Sequence, residues 1–306
     1  MSYKVVLPLK LSDESLKYPA WFADLGIEFQ AKWCPTEEET IALAKDADAV
    51  IVEGSQRPMT RTIIENLERC RILAGTQIGF DTFDLAAASE RGILVTNVPG
   101  YCVEEVSDHA MALVLACARR VVQLHKAVGE GSWGFGPSSS GIQNVIRPNI
   151  DGLHGKTLGL FGLGAIGRSM VPKAKGFGMR VIACDPYADG AMASREGVDV
   201  VDLPTLLSES DFVSIHAALT GETRGMFNRK VFSQMKPTAC LINTARGGFI
   251  NESDLYDALT SGQIGMAALD VLENEPPAEV HRLMTLDNFV CTGHLAFFSP
   301  QALATQ

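Results

Sequence analysis

The stretch TLGLFGLGAIGRSM, Thr157–Met170, decides how the chain is read. A short apolar run of strand character breaks into glycines at 162, 164 and 167, after which a helical pattern resumes. A strand that ends in Gly162 and is followed by Gly164 and Gly167 at a helix start has the form needed to cradle a dinucleotide pyrophosphate. Gly162 permits the tight turn, Gly164 lets backbone approach the phosphates, and Gly167 lets the helix lie close on the strand. The first helical residues, Ala165 and Ile166, then offer N–H groups and the positive end of the helix dipole to an anion. The next strand adds a second signal, because RVIACDP ends in Asp185, 18 residues past Gly167. A carboxylate there accepts hydrogen bonds from ribose hydroxyls, and the positions after it, Pro186 and Tyr187, hold no Arg to receive a 2′-phosphate. NAD is therefore the expected cofactor, rather than NADP.

Working outward, the same grammar repeats. TLGLFG, RVIACD, DFVSIHA, ACLINTA, GMAALDV and NFVCTGH read as strands, with helical segments between most of them. Upstream, KVVLPL, ADAVIVEG, CRILAGT and GILVTN read as strands, and TEEETIALAKDA and TRTIIENLERC as the helices between. Such alternation predicts α/β architecture with parallel sheets covered by helices. Between the two series lie one long helical pattern, VEEVSDHAMALVLACARRVVQLHKAV, and the loop GEGSWGFGPSSSG, residues 129–141. A chain of 306 residues exceeds the usual size of one domain, so two doubly wound domains are expected.

Composition excludes several functions. A net charge of −10 with no basic cluster argues against nucleic-acid binding. The N-terminal MSYKVVLPLKLSDES has too short an apolar run for a signal peptide, and no apolar run spans a bilayer, so a cytoplasmic protein is expected. Seven scattered cysteines form no C-x-x-C pair, which leaves no case for a metal site or a disulfide framework; they read as reduced core residues.

Ligands of open α/β sheets bind at the carboxyl ends of the strands. Hydride transfer to a ketone leaves an oxyanion that needs a proton, and an acidic substrate needs a cation to hold it. Three residues of the right kind follow candidate strands: Arg246 in INTARGGFINE, Glu275 in LDVLENEPP and His294 in VCTGHLAFF. Singly, each also reads as an ordinary surface ion pair, loop acid or structural histidine.

Seven segments occur in an order that resembles the D-isomer-specific 2-hydroxyacid dehydrogenases: GFDTFDLAAASERGILVTNVPG, KTLGLFGLGAIGR, VIACDPY, DFVSIHAALTGETRGMFN, MKPTACLINTARGGFINESDLYDAL, AALDVLENEPP and TGHLAFFS. The likeness runs from about Gly75 to Ser299. That family includes phosphoglycerate dehydrogenases, glyoxylate and hydroxypyruvate reductases, and the C-terminal-binding proteins. The resemblance implies an NAD-dependent oxidoreductase that interconverts a small D-2-hydroxy acid and its 2-keto acid. Arg246 would bind the carboxylate, His294 would be the general acid/base, and Glu275 would orient the imidazole and favour its protonated form. By the same resemblance the backbone of Ile78 and Gly79 meets the substrate carboxylate, Asp270 holds the nicotinamide carboxamide, and His216, Ala217, Thr244 and Ala245 contact the cofactor.

It also implies that residues 1–100 and 295–306 form a flavodoxin-like substrate-binding domain into which a Rossmann NAD domain, 101–294, is inserted. The active site is then expected in the cleft between them, and the long helix with the loop around Trp133 resembles an arm that makes a homodimer. Two other readings stay open: an NAD(H)-sensing interaction protein of the C-terminal-binding kind, and a dehydrogenase of a non-carboxylate oxyanion such as phosphite. The chain departs from the family pattern at Gln77, Ala218 and Gly293, and the pair Phe297-Phe298 follows the histidine. Gln77 is expected to reach toward substrate, and Phe297 and Phe298 either wall the substrate pocket or pack the hinge.

Overall fold

The computed structural model describes residues 2–11, 15–53, 58–146 and 150–306. Met1, residues 12–14 of the N-terminal stretch and Gly54 at the end of ADAVIVEG lie outside them. The chain divides into two compact units, one running through Tyr101 and returning with Ser299–Gln306, the other Cys102–Phe298.

In the first unit β1 (Lys4–Leu7), β2 (Glu28–Ala31), β3 (Ala49–Val52), β4 (Ile72–Gly75) and β5 (Leu94–Thr96) form one sheet in the order β2-β1-β3-β4-β5. Every pair is parallel, the flavodoxin-like order. The connections carry α1 (Tyr18–Asp24), α2 (Glu37–Ala44), α3 (Arg61–Glu65) and α4 (Leu85–Glu90). Thr36, Thr60 and Asp84 start the last three by accepting a backbone N–H three residues on. Of the elements not expected from sequence, α1 buries no residue, and β2 alternates exposed and half-buried positions at the sheet edge. They hold each other through Tyr18 and Phe22, which pack on the Phe29 ring.

The second unit opens with α5 (Val103–Arg119), α6 (Val121–Gly129) and α7 (Ser140–Ile146). The expected single helix over 103–128 is thus broken at Arg120, which turns into the left-handed region (φ 53°) and donates from its buried guanidinium to Met266 Sδ at 2.8 Å. The seven strands are β6 (Thr157–Phe161), β7 (Arg180–Cys184), β8 (Asp199–Val200), β9 (Phe212–Ile215), β10 (Cys240–Asn243), β11 (Met266–Leu269) and β12 (Phe289–Cys291). They pair in parallel in the order β12-β11-β10-β9-β6-β7-β8. From β6 this is the doubly wound Rossmann order, with its reversal between β6 and β9. Helices α8 (Ala165–Gly176), α9 (Gly190–Arg195), α10 (Leu203–Glu209), α11 (Arg229–Phe232) and α12 (Glu252–Thr260) cross between strands. The central strands are buried on both faces, as their unbroken apolar runs require. Leu158, Leu160 and Ile242 join α5 and α8 in one core, while Phe161, Leu241 and Ile215 join α10 and α12 in the other.

The chain re-enters the first unit at α13 (Pro300–Thr305), capped by Ser299. Leu295–Phe298, expected with the first domain, lie with the second unit instead, since Asp270 holds the amides of Leu295 and Ala296. The seven cysteines are free thiols, five of them buried. Among the described residues no helix is long and apolar enough to cross a membrane, and no three His, Cys, Asp or Glu side chains gather as metal ligands.

Candidate active site

Because every strand of the second sheet is parallel, its carboxyl ends share one edge, and the sequence-predicted residues of this unit stand along it. Gly162 leaves β6 at φ 99°, and a Cβ there would sit 2.6 Å from the Ala217 amide nitrogen. A Cβ on Gly167 would strike the Gly162 carbonyl, so α8 lies as close as two backbones allow. Gly164 differs from both, since nothing lies within 4 Å of where its Cβ would be. No side chain caps α8, which leaves its first turn, with exposed Ala165 and half-buried Ile166, open to an anion.

Asp185 ends β7 with one carboxylate oxygen on the Leu163 amide and the other on the Tyr187 amide, both 2.8 Å. Each oxygen keeps lone-pair capacity for a ribose hydroxyl. Pro186 beside it is exposed. His216 follows β9, its Nε2 2.8 Å from Ser214 Oγ, and burial pushes the imidazole down to about 4, so it is neutral at physiological pH.

At the end of β10 the buried Asn243 brackets the turn: its Oδ1 accepts from the Ala245 amide (2.9 Å) and its Nδ2 donates to the Arg246 carbonyl (2.8 Å). Thr244 Oγ1 is buried with no hydrogen-bond partner among the described residues. A buried hydroxyl left in that state is costly unless a ligand completes it. Gly247 sits against the backbone of Leu272 and Glu273, leaving no room for a side chain, which fixes the Arg246 turn against the segment leading to Glu275.

Glu275 accepts the Leu272 amide on Oε1 (2.7 Å) and faces His294 with Oε2, 2.5 Å from Nδ1. The ionised carboxylate only accepts, so Nδ1 carries the proton and Nε2 is the ring atom left for exchange. His294 itself is left-handed (φ 63°) and follows Gly293 at φ 70°. Phe297 stands edge-on to the imidazole with centroids 6.3 Å apart, and Phe298 is exposed. Asp270 is buried, with its carboxylate bound to the Thr292 hydroxyl and the amides of Leu295 and Ala296. Sequence reading missed Asn243, Thr292 and His109, which meets Thr292; the only signal was a polar residue inside an apolar pattern.

Ile78 and Gly79 belong to the first unit, in the turn after β4. The Ile78 carbonyl accepts from Asn97 Nδ2 at 2.7 Å. Gln77, in the same turn, is buried, its amide nitrogen 3.2 Å from Thr82 Oγ1.

The open cradle at Gly164, the uncapped α8, the Asp185 carboxylate and the orphan Thr244 hydroxyl together fit a dinucleotide. Residues 111–296 match the model of the D-isomer specific 2-hydroxyacid dehydrogenase, NAD binding domain. D-3-phosphoglycerate dehydrogenase of Archaeoglobus fulgidus is 35% identical over 98% of this chain and 54% of its own length. Glyoxylate reductase of Korarchaeum cryptofilum is 39% identical over 86% of this chain and 77% of its own. Among solved structures, a glyoxylate reductase from Paecilomyes thermophila superposes with a TM-score of 0.87 at 25% identity, covering 99% of this chain and 91% of that one. The chain thus spans about half the length of the phosphoglycerate dehydrogenases it matches. With a nicotinamide-dinucleotide fold and its cradle in place, the chain belongs to the D-isomer-specific 2-hydroxyacid dehydrogenase family.

Proposed function

We propose that the protein interconverts a small D-2-hydroxy acid and its 2-keto acid, with NAD as cofactor. The observation that carries this reading is the His294–Glu275 pair at 2.5 Å, with the second Glu275 oxygen fixed by the Leu272 amide. An imidazole so held has one nitrogen committed and the other available, the arrangement of a general acid/base.

Bound NADH supplies the hydride to the carbonyl carbon. As the oxygen gains charge, His294 Nε2 donates its proton, while the Glu275 carboxylate holds the ring through Nδ1. In oxidation the same nitrogen takes the hydroxyl proton. Arg246 binds the carboxylate, where a guanidinium offers paired donors to two oxygens. The Ile78–Gly79 turn is proposed to bind substrate as well. Gly162, Gly164, Ala165, Ile166 and Gly167 hold the pyrophosphate, Asp185 with Pro186 the adenosine ribose, and His216, Ala217, Thr244, Ala245 and Asp270 the nicotinamide half. The Phe297 ring beside the imidazole favours an acid with a small or flat side chain.

The test is NADH oxidation against glyoxylate, hydroxypyruvate, pyruvate and bulkier aryl or branched 2-keto acids, with NADPH in parallel. Turnover with NADH on one of them, lost in Arg246→Ala, is the expected result. Silence across the whole panel, with NADH binding shown separately, overturns the reading.

A further inference from the structure

We infer that Thr292 and His109 are positioning residues that set the orientation of His294 through the buried carboxylate of Asp270; the functional meaning of this rests on the acid/base reading of His294 above. Asp270 grips the chain on both sides of the histidine. Its backbone carbonyl accepts from the His294 amide at 2.5 Å, its Oδ1 from the Leu295 amide at 3.0 Å, and its Oδ2 from the Ala296 amide at 2.9 Å. The turn so held passes through φ 70° at Gly293 and φ 63° at His294. A residue with a side chain stays in that region only where its surroundings impose it.

The carboxylate is in turn oriented from outside the turn. Thr292 Oγ1 lies 2.5 Å from Asp270 Oδ1 and 2.8 Å from His109 Nε2, and His109 Nε2 is 3.7 Å from the same carboxylate oxygen. An ionised carboxylate can only accept, so the threonine hydroxyl donates to Asp270, and its oxygen accepts from His109 Nε2–H. The direction of the chain is thereby fixed: His109 on α5, Thr292 after β12, Asp270 after β11, then the backbone that carries His294. A chain of charge-assisted bonds in a buried setting holds geometry better than its members would separately. His109 also lines a cavity of about 330 Å³ together with Leu295, Ala296 and Phe298 of the turn.

Thr292→Val keeps the shape and removes the hydroxyl, Thr292→Ser restores it, His109→Phe removes the donor and His109→Gln keeps one. Each is assayed with the 2-keto acid that the wild type reduces fastest. Thr292→Val is expected to lower kcat by about 10- to 100-fold with KM for the keto acid nearly unchanged, the signature of a displaced acid. His109→Phe follows with a smaller loss, and Thr292→Ser and His109→Gln recover most of the rate. A second readout needs no turnover: the proton in the His294–Glu275 bond is expected to give a far-downfield resonance in the proton NMR spectrum, absent in His294→Gln. It is expected to move upfield in Thr292→Val and to stay in Thr292→Ser. An unmoved resonance in Thr292→Val, a loss confined to KM, or a serine variant as impaired as the valine one overturns the inference. Failure of the wild type on every keto acid strikes the acid/base reading alone, since the resonance still decides the positioning.

Discussion

His294 occupies a backbone region that costs a side-chain-bearing residue about 1–3 kcal/mol, and the cost is met by three amides anchored on Asp270. His294→Ala keeps the Cβ and hence the backbone demand, so it removes the imidazole without refolding the turn. Turnover is expected to fall by about 10² or more, while NADH affinity, read by fluorescence titration, stays near wild type. An unchanged rate removes His294 from its role. His216 makes a different prediction, about stability. Burial depresses its imidazole from 6.5 to about 4. Between those values the unfolded chain binds a proton that the folded chain does not, so folded stability falls as pH drops through that window and is fully present above it. At pH 5 the loss relative to pH 7.5 is about 2 kcal/mol. Urea unfolding of the wild type and His216→Gln at the two pH values isolates this contribution from that of the carboxylates. Equal losses in both proteins would refute it.

At the scale of elements, the strand–turn–helix of β6 and α8 separates folding glycines from a binding glycine. Gly162 has φ 99° and a backbone atom 2.6 Å from where a Cβ would go, so Gly162→Ala strains the fold by about 1–3 kcal/mol or more and weakens cofactor binding with it. Gly164 has φ −75° and open space around the missing Cβ. Gly164→Ala is expected to unfold within about 0.5 kcal/mol of wild type, yet to bind NADH at least about tenfold more weakly. Calorimetry for both properties checks the pair, and equal NADH affinity in Gly164→Ala would take the pyrophosphate away from this turn. The same contrast explains what sequence made legible. Buried central strands are long apolar runs, and glycines at a strand end are visible. By contrast, β2 is a partly polar edge strand and β8 has two residues, so neither carries a pattern. The break at Arg120 is marked by no Gly or Pro, and the partner its guanidinium meets there, Met266, is remote in the chain. Arg246, Glu275 and His294 could be picked out because each follows a strand, but Thr292 and His109 acquire meaning only once β12 and α5 meet.

At the scale of the whole molecule, α6 and the loop after it expose Val121, Val122 and Val128, together with Trp133 at 72% and Phe135 at 87%. Five large apolar side chains are exposed within fifteen residues, a density at which a surface that meets another protein is expected. A second copy of the chain is the simplest partner, because a two-fold interface lets one patch cover itself. The protein is therefore expected to form a homodimer of twice the 32.9 kDa chain mass. Light scattering during size-exclusion chromatography, over a wide concentration range, measures this directly. The double substitution Trp133→Glu with Phe135→Glu places two charges where a stable interface buries about 800 Å² per partner, and it is expected to yield monomers. Because neither residue belongs to the dinucleotide cradle, NADH affinity should survive the change. A wild type that runs as a monomer at every concentration, or a double variant that remains dimeric, would show that this patch serves something other than self-association.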